Sequence, residues 1–561
     1  MSLDKILLSL LKKRFLMMKR TYLLLGALVF ALPLSAQDIY KVESFSSEDL
    51  NGTARYVGMG GAMNALGADI STMSVNPAGI GLYRRSDFSM TGSLLMEKGA
   101  KRFNDIGRNR ASFDQIGFVW STPTRGNSLK FMNFGFNYRK SKNLKNYIGI
   151  ENVSTNGASQ AISAANLGYM YGGDYYTQNS NGSLSFKMPL TDAAYNSYML
   201  EPTFKTGSTT AVESWNPTSA NAYNYRREQH GGIHEFDFNL SFNFNNSLYA
   251  GLTMGVYDVD WNSHLFYNEG IADGTGKMHD YFMTNDEAIN GNGFDLKLGV
   301  ILRPIKKSPF RIGLAFSTPT WYSLTGNNIL WMNSPFVAPG STEKETQAGY
   351  RTGDFDYNIR TPWKLNVNVA TTVANRLALD AEYEYKHLPA ASVRFASYTP
   401  DIYGGSWSSS YRDAAIDNQI DTWLRGQHTL RLGAEMRLDA NFSARAGYNY
   451  VSSPFKDGAF LNLHPNAGTS YKASKSLFNA TGTDYVNIGG TNRFTLGLGY
   501  HNKSFYADLA YQYQQRSTTV YPFHDTKEYT SDVQIVADHG VQGQKLKNIQ
   551  NRLMLTIGWK F

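Results

Sequence analysis

The sequence predicts an all-β fold, a closed antiparallel transmembrane barrel of about fourteen strands. Three observations predict it. Segments of about ten residues alternate apolar and polar along most of the chain, the alternation runs to the last residue, Phe561, and short connections alternate with long ones.

The alternation starts near Ser86. Phe236, Phe238, Leu240, Phe242 and Phe244 alternate with Asp237, Asn239, Ser241 and Asn243, and Phe294, Leu296, Leu298, Val300 and Leu302 alternate with Asp295, Lys297 and Gly299. Leu377, Leu379, Ala381, Tyr383 and Tyr385 alternate with Asp380, Glu382 and Glu384, and Leu430, Leu432, Ala434, Met436 and Leu438 with Arg431, Gly433, Glu435 and Arg437. A period of two with one fully apolar set is the signature of strands that face lipid on one side and a polar lumen on the other. A lipid-facing Lys or Arg costs roughly 2 to 4 kcal/mol at mid-bilayer, so the charges point inward.

The last segment is the clearest. Leu553, Leu555, Ile557, Trp559 and Phe561 alternate with Met554, Thr556, Gly558 and Lys560. A terminal aromatic after an alternating strand is similar to the C-terminal signal of bacterial outer-membrane barrels, which makes the assembly machinery an expected partner through Phe561. Short turns are expected near 124–127, 245–246, 305–309, 374–375, 439–441 and 502–503, with the longest connection at 141–232. Strands then start near 86, 113, 129, 234, 248, 291, 309, 362, 376, 427, 441, 491, 504 and 550, and sixteen strands remain compatible with the linker lengths. Every short turn follows an even strand, so the N-terminus lies on the periplasmic side. A sheet of this length with free edges would aggregate; closure removes the edges and pairs every backbone group in lipid.

Composition agrees. The chain has 561 residues, with 36 Tyr, 32 Phe and 51 Gly, and mean hydropathy is −0.37. Past the N-terminus no apolar run reaches the roughly 18 residues of a membrane helix. There is no Cys, which excludes disulfide scaffolds, thiol nucleophiles and thiolate metal sites. The net charge of +8 is spread along the chain and carries no nucleic-acid footprint.

Residues 1–36 read as a secretion signal. Lys19 and Arg20 are basic, Tyr22 to Leu32 is a short apolar run, and Ser35-Ala36 offers small residues for cleavage. Met17 or Met18 is the more natural start, and Gln37 the first mature residue. Residues 37–85 are not strand-like, and 86–561 form the barrel with long outer loops. Within 37–85, Gly58, Gly60 and Gly61 permit tight turns, but no strand precedes them and no βαβ unit follows, which argues against a dinucleotide fingerprint. Ala62 to Ala68 is expected to form one short helix, leading to a turn at Asn76-Pro77.

Phe45-Ser46-Ser47, Gly52 to Arg55, the glycine run, Ala68-Asp69 and Asn76-Pro77-Ala78 resemble, in order and spacing over about forty residues, the N-terminal hatch of the FadL/TodX family. That family comprises outer-membrane transporters of long-chain fatty acids and other hydrophobic compounds, and some relatives are labelled haemin receptors. The resemblance implies a fourteen-strand barrel in the bacterial outer membrane with a hatch inside its lumen. It also implies passive uptake of small hydrophobic or amphipathic molecules, without catalysis or cofactor, by a monomer surrounded by outer-membrane lipid. Asn76, Pro77 and Ala78, with Gly58, Gly60 and Gly61, become the candidate gating residues. This chain departs from the family in carrying its longest loop after the third strand. The family opens its wall at a kink in that strand, and Gly135 is the residue here that would permit one.

Other constellations have plainer readings. No Gly-x-Ser-x-Gly elbow occurs. His387, His428 and His501 lie near strand ends, where an interfacial polar role is commonest, and Gly231-Gly232 between His230 and His234 disfavours a metal-binding helix. Arg431, Arg437 and Arg445 oppose Asp380, Glu382, Glu384 and Asp508; a stiffening ion-pair lattice is the bland reading, and a path that binds a ligand carboxylate is the functional one. Tyr169 to Tyr176 and Trp321-Tyr322 are expected to capture ligand in outer loops. The alternative to transport is a surface adhesin or structural barrel acting through its large loops.

Overall fold

The computed structural model describes residues 39–561 except 99–108, 172–175, 179–183, 205, 208–211, 273–277, 306, 338–339, 401–405, 458, 460–478, 480, 524–525, 530–534 and 540–541. The expected secretion signal lies outside the described residues.

Fourteen strands close into one antiparallel barrel. They are β1 (Asp87–Lys98), β2 (Asn109–Pro123), β3 (Leu129–Asn143, continued by Asn146–Ser154), β4 (Ala222–Phe244), β5 (Leu248–Ala272), β6 (Met278–Leu302) and β7 (Arg311–Ser317 and Trp321–Ser334). Next come β8 (Thr346–Arg351, Phe355–Arg360 and Lys364–Val373), β9 (Leu377–Lys386 and Ser392–Pro400) and β10 (Ser406–Arg412 and Gln427–Arg437). Last are β11 (Phe442–Val451), β12 (Tyr485–Asn502), β13 (Phe505–Tyr521) and β14 (Gln544–Lys560). The final strand closes on the first from Asp87↔Lys560 to Lys98↔Ile549. Phe561 completes the seam: its N–H donates to the Ser86 carbonyl at 3.0 Å and its carbonyl accepts from Ser86 N–H at 3.1 Å.

The faces follow the alternation. Leu298, Leu314, Leu496 and Leu555 are exposed on the outer wall, and Asn133, Asn239, Thr495 and Thr556 are buried inside. Ringed residues bound the apolar belt. Trp120–Phe561 and Phe505–Trp559 mark its periplasmic rim, and Phe294–Trp321 and Trp363–His387 its outer rim. Such residues settle at membrane interfaces because one end is apolar and the other polar. Among the described residues no helix is long and apolar enough to cross a membrane; the exposed apolar belt lies on the strands.

Two features go beyond a plain barrel. The first is height. β5 and β6 have 25 residues each, roughly 80 Å of strand at 3.3 Å per residue, whereas a bilayer needs about 9 to 11 residues. The excess encloses a packed core of Tyr223, Tyr267, Tyr281, Ile271 and Phe523. The 155–221 insertion adds α3 (Gln160–Tyr171) and α4 (Pro189–Asn196) to it, numbered after two hatch helices, α1 (Ile39–Ser46) and α2 (Ala54–Gly58).

The second feature is a line of breaks at one level of the wall. β7 is interrupted at Thr318–Thr320, β8 at Thr361–Trp363, β9 at His387–Ala391, and β10 by α5 (Ala414–Trp423). Pro319, Pro362 and Pro389 lie in the first three, and a proline cannot donate to a ladder. Thr320 N–H is taken instead by the Thr361 hydroxyl at 2.7 Å.

Two expectations are corrected. Residues 62–68 form turns, and the helix is α2; Gly60, Gly61 and Gly67 have φ of 66°, 81° and 62°, outside any right-handed helix, while Thr53 caps α2 by accepting from Tyr56 N–H. At Gly135 the β2–β3 register runs unbroken, with no bulge to open the wall; a side chain there would strike Met73 of the hatch.

Candidate functional site

Residues 39–85 thread the lumen from the outer half to the periplasmic rim. At the bottom, Asn76 caps the 3-10 turn Pro77–Leu82, its Oδ1 accepting from Ala78 N–H at 3.2 Å and its Nδ2 donating to the Asn64 carbonyl at 3.2 Å. The Pro77 carbonyl accepts from Ser241 Oγ at 2.8 Å and Asn239 Nδ2 at 3.3 Å. Gly251 and Gly299 face this turn from β5 and β6, and a Cβ on either would collide with Pro77 or Asn76. Asn76, Pro77 and Ala78 are all buried.

Higher up, barrel side chains hold hatch backbone. Glu382 accepts from both Asn64 N–H and Asn64 Nδ2 at 2.7 Å, and Asp380 accepts from Leu66 N–H at 3.0 Å. Thr495 Oγ1 donates to the Gly58 carbonyl at 3.1 Å, and Asn449 Nδ2 to that of Gly60 at 3.3 Å. Gly61 packs beside Arg431. Arg55 of α2 pairs with Glu435 at 2.8 Å, Glu435 with Arg445 at 2.6 Å, and Arg445 with Asp508 at 2.6 Å. The lattice thus ties hatch to wall.

At the top, α1 plugs the outer half. Ile39, Val42 and Phe45 are buried in the large lumenal core, and the Tyr40 ring sits 5.1 Å from both Phe455 and Tyr485. Its C-terminal carbonyls meet cations. Lys142 Nζ donates to the Ser44 carbonyl, and Lys386 Nζ to that of Ser46 at 2.6 Å. Positive charge at a helix C-terminus is favourable because the peptide dipoles leave that end negative. Just beyond, Glu48 pairs with Arg139 at 2.9 Å and with Lys364. Burial works to raise the Glu48 pKa, but Lys364 and Arg139 hold it well below the usual carboxylate range. Asp49 is likewise lowered, burial being outweighed by Arg516, Arg493 and Arg552.

Between α1 and the β9–β13 wall lies a narrow cavity of about 70 Å³ lined by Glu48, Asp49, Tyr56, Arg431, Arg493 and Arg516. Arg493 faces no carboxylate at ion-pair distance among the described residues; Gln514 and Asn449 accept from it at 2.7 and 2.8 Å.

Of the expected ligand contacts, Arg431 lines this cavity, paired with Glu384 at 3.0 Å. Arg445 is buried in the lattice. Arg437 is exposed at the periplasmic turn 438–441, away from the cavity. Trp321-Tyr322 lies in the wall, not in a loop: Trp321 stacks on Phe294 at 5.0 Å on the outer face, while Tyr322 is buried 6.1 Å from Phe45 in the lumen. Residues 172–175 of the other expected capture segment lie outside the described residues, and 169–171 end α3. Reasoning from sequence missed Lys142, Lys386 and Glu48, which meet only once the hatch is threaded.

No family model matches the sequence, and no curated protein matches it. Solved structures do match in fold. The Ralstonia pickettii toluene transporter TbuX covers 91% of this chain over 99% of its own, at 13% identity and a TM-score of 0.46. The CymD monoaromatic hydrocarbon channel covers 92% over 99%, at 12% identity and a TM-score of 0.47. A Pseudomonas aeruginosa FadL homologue covers 92% over 99%, at 11% identity and a TM-score of 0.47. The protein is a closed fourteen-strand β-barrel with an apolar outer belt. Those likenesses concern the course of the chain; the lumenal segment and its anchors are geometry of this barrel alone.

Proposed function

We propose that this barrel takes up small hydrophobic or amphipathic molecules by passive diffusion past its hatch, without chemistry on the cargo. The observation that carries the reading is α1: its Ile39, Val42 and Phe45 face fills the aromatic outer chamber, and lysines hold its C-terminal carbonyls. A ligand with an apolar body and a polar or acidic head has the same polarity from end to end. Long-chain fatty acids and haemin both fit that description, and an acidic head would suit the cations around Asp49. Movement at Asn76-Pro77-Ala78 would then release the lower hatch. The line of breaks in β7 to β10 supports exit of apolar cargo through the wall, which spares it water at about 0.8 kcal/mol per CH₂. Deleting residues 40–82 should convert a closed barrel into an ion-conducting pore in planar bilayers; a current unchanged from the intact protein sinks the hatch reading.

The height of β4 to β6 favours one second reading, a surface adhesin. Shortening the 155–221 insertion while uptake persists and surface binding disappears would select it.

A further inference from the structure

Just at and above the outer aromatic rim, the outer face of β7 to β10 carries arginines. Trp321 lies opposite Phe294 on one side and Arg360 on the other. One step up, Asn358 lies opposite Arg394, and Arg394 opposite Arg412. Direct partners across an antiparallel pair point to the same face, so these side chains share the outer surface with Phe294, which is 52% exposed. Arg412 is paired with Asp417 at 2.7 Å. Among the described residues neither Arg360 nor Arg394 has a carboxylate at ion-pair distance. Asp356, outward on the same strand as Arg360, is instead an acceptor for Thr325 Oγ1 at 2.7 Å. Arg394 lies directly opposite Arg412, whose charge Asp417 already compensates, so Arg360 and Arg394 are the cations this face leaves without a carboxylate among the described residues.

A hollow of about 450 Å³ opens at this place, lined by Phe294, Trp321, Ser323, Asn358, Arg360 and Arg394. Its chemistry is graded. Guanidinium, hydroxyl and amide groups stand at the water side. The Phe294–Trp321 stack forms the membrane side, and the apolar wall continues below it through Leu296, Leu314 and Phe316. Polar over apolar, at a membrane interface, is the order of a lipid's own headgroup and chains. Guanidinium forks donate parallel bonds to phosphate oxygens, which a point charge does less specifically.

We infer that this hollow binds a phosphate-bearing membrane lipid, with the phosphate on Arg360 and Arg394 and an acyl chain on Phe294 and Trp321. The inference rests on the outer surface and not on what the lumen carries.

The test is native mass spectrometry of the full-length purified protein in detergent, titrated with dioleoyl phosphatidic acid, with dioleoylglycerol, or with inorganic phosphate. The wild type should retain phosphatidic acid in preference to the diacylglycerol. R360Q/R394Q should weaken that retention by at least about tenfold, and K545Q/K547Q on β14 should leave it intact. R360K/R394K keeps charge but loses the fork, and should fall between. It also serves if the glutamine variant fails to give the heat-modifiable gel migration of a closed barrel. Equal retention by wild type and both arginine variants overturns the inference. So does equal retention of diacylglycerol, which would leave only an apolar dent. Full displacement of phosphatidic acid by inorganic phosphate would reassign the arginines to a soluble anion and overturn the lipid.

Discussion

Lys386 Nζ lies 2.6 Å from the Ser46 carbonyl oxygen, so a side chain of the barrel wall caps the open end of α1. Hydrogen bonds to charged groups contribute about 1.5 to 3 kcal/mol. Lys386→Met keeps most of the stem's volume and removes the donor. It should raise the undocked population of α1 by about tenfold or more, read as faster amide exchange over residues 39–46. Unchanged exchange there would mean the apolar face alone holds the helix.

Glu48 gives this docking a pH dependence. Its folded pKa is depressed, so its contribution is fully present above the ordinary carboxylate range and lost as pH falls through the folded value. Protease protection of α1 in the wild type should exceed that of Glu48→Gln by a constant margin from neutral pH down to about 5, then by a margin that shrinks steadily as pH falls below the ordinary carboxylate range toward the depressed folded value. A margin insensitive to acid would exclude the ionised Arg139 and Lys364 contacts as its source.

Gly299 and Gly251 predict a leak. Either residue replaced by Val would push a side chain into Asn76 or Pro77. Overpacking costs typically 1 to 3 kcal/mol, and the hatch turn has less ladder to resist with than the strands. The expected phenotype is a normally folded barrel with raised basal conductance. A sealed barrel with normal stability would show that the turn relaxes without opening.

The Lys297 ammonium predicts a stability loss of another kind. It lies 2.8, 2.9 and 3.0 Å from Glu235, Asp237 and Asp295, all wholly buried. Lys297→Met leaves three buried acids with Arg139 as their nearest compensation, 2.6 Å from Glu235. Removing one partner of a buried pair costs about 3 to 5 kcal/mol, so the denaturant midpoint should drop well beyond that of an outer-wall Leu298→Ala control. A midpoint shift no larger than the control's would mean that the acids are protonated or hydrated in place.

Phe561 predicts a kinetic effect. Its backbone joins Ser86 across the seam, and its ring meets Trp120 at 6.4 Å. Phe561→Ala keeps the ladder but loses the ring, and should slow folding into vesicles more than it lowers final stability. Equal rates would confine any role of the ring to recognition during assembly.

The strands inside the membrane were readable because lipid imposes a strict period of two: Phe236 to Phe244 and Leu553 to Phe561 have no other face to offer. Where β4 rises above the bilayer that constraint ends. Tyr225-Arg226-Arg227-Glu228-Gln229-His230 is strand all the same, with protein inside and water outside, so its pattern reads as loop. The strand expected to start near 362 extends further, because the break at Pro362 lies within β8 and not at its end. In the site, Glu382 and Asp380 were assigned to the lumen by parity alone. Their partners Asn64 and Leu66 were not legible, because that pairing spans more than 300 residues of chain and depends on how the hatch threads. Trp321 was misplaced because an interfacial aromatic and a ligand-capturing one have the same composition.

The breaks at Pro319, Pro362 and Pro389 also decouple what lies above them from what lies below. In an unbroken strand, adding or removing one residue inverts every side chain beyond it and alters the stagger of the whole cylinder. Here a change of length above the breaks is absorbed where the ladder is already cut. The outer part of this quadrant can thus change length while the membrane-embedded ring keeps its register, and its top connections are the place to graft a foreign loop.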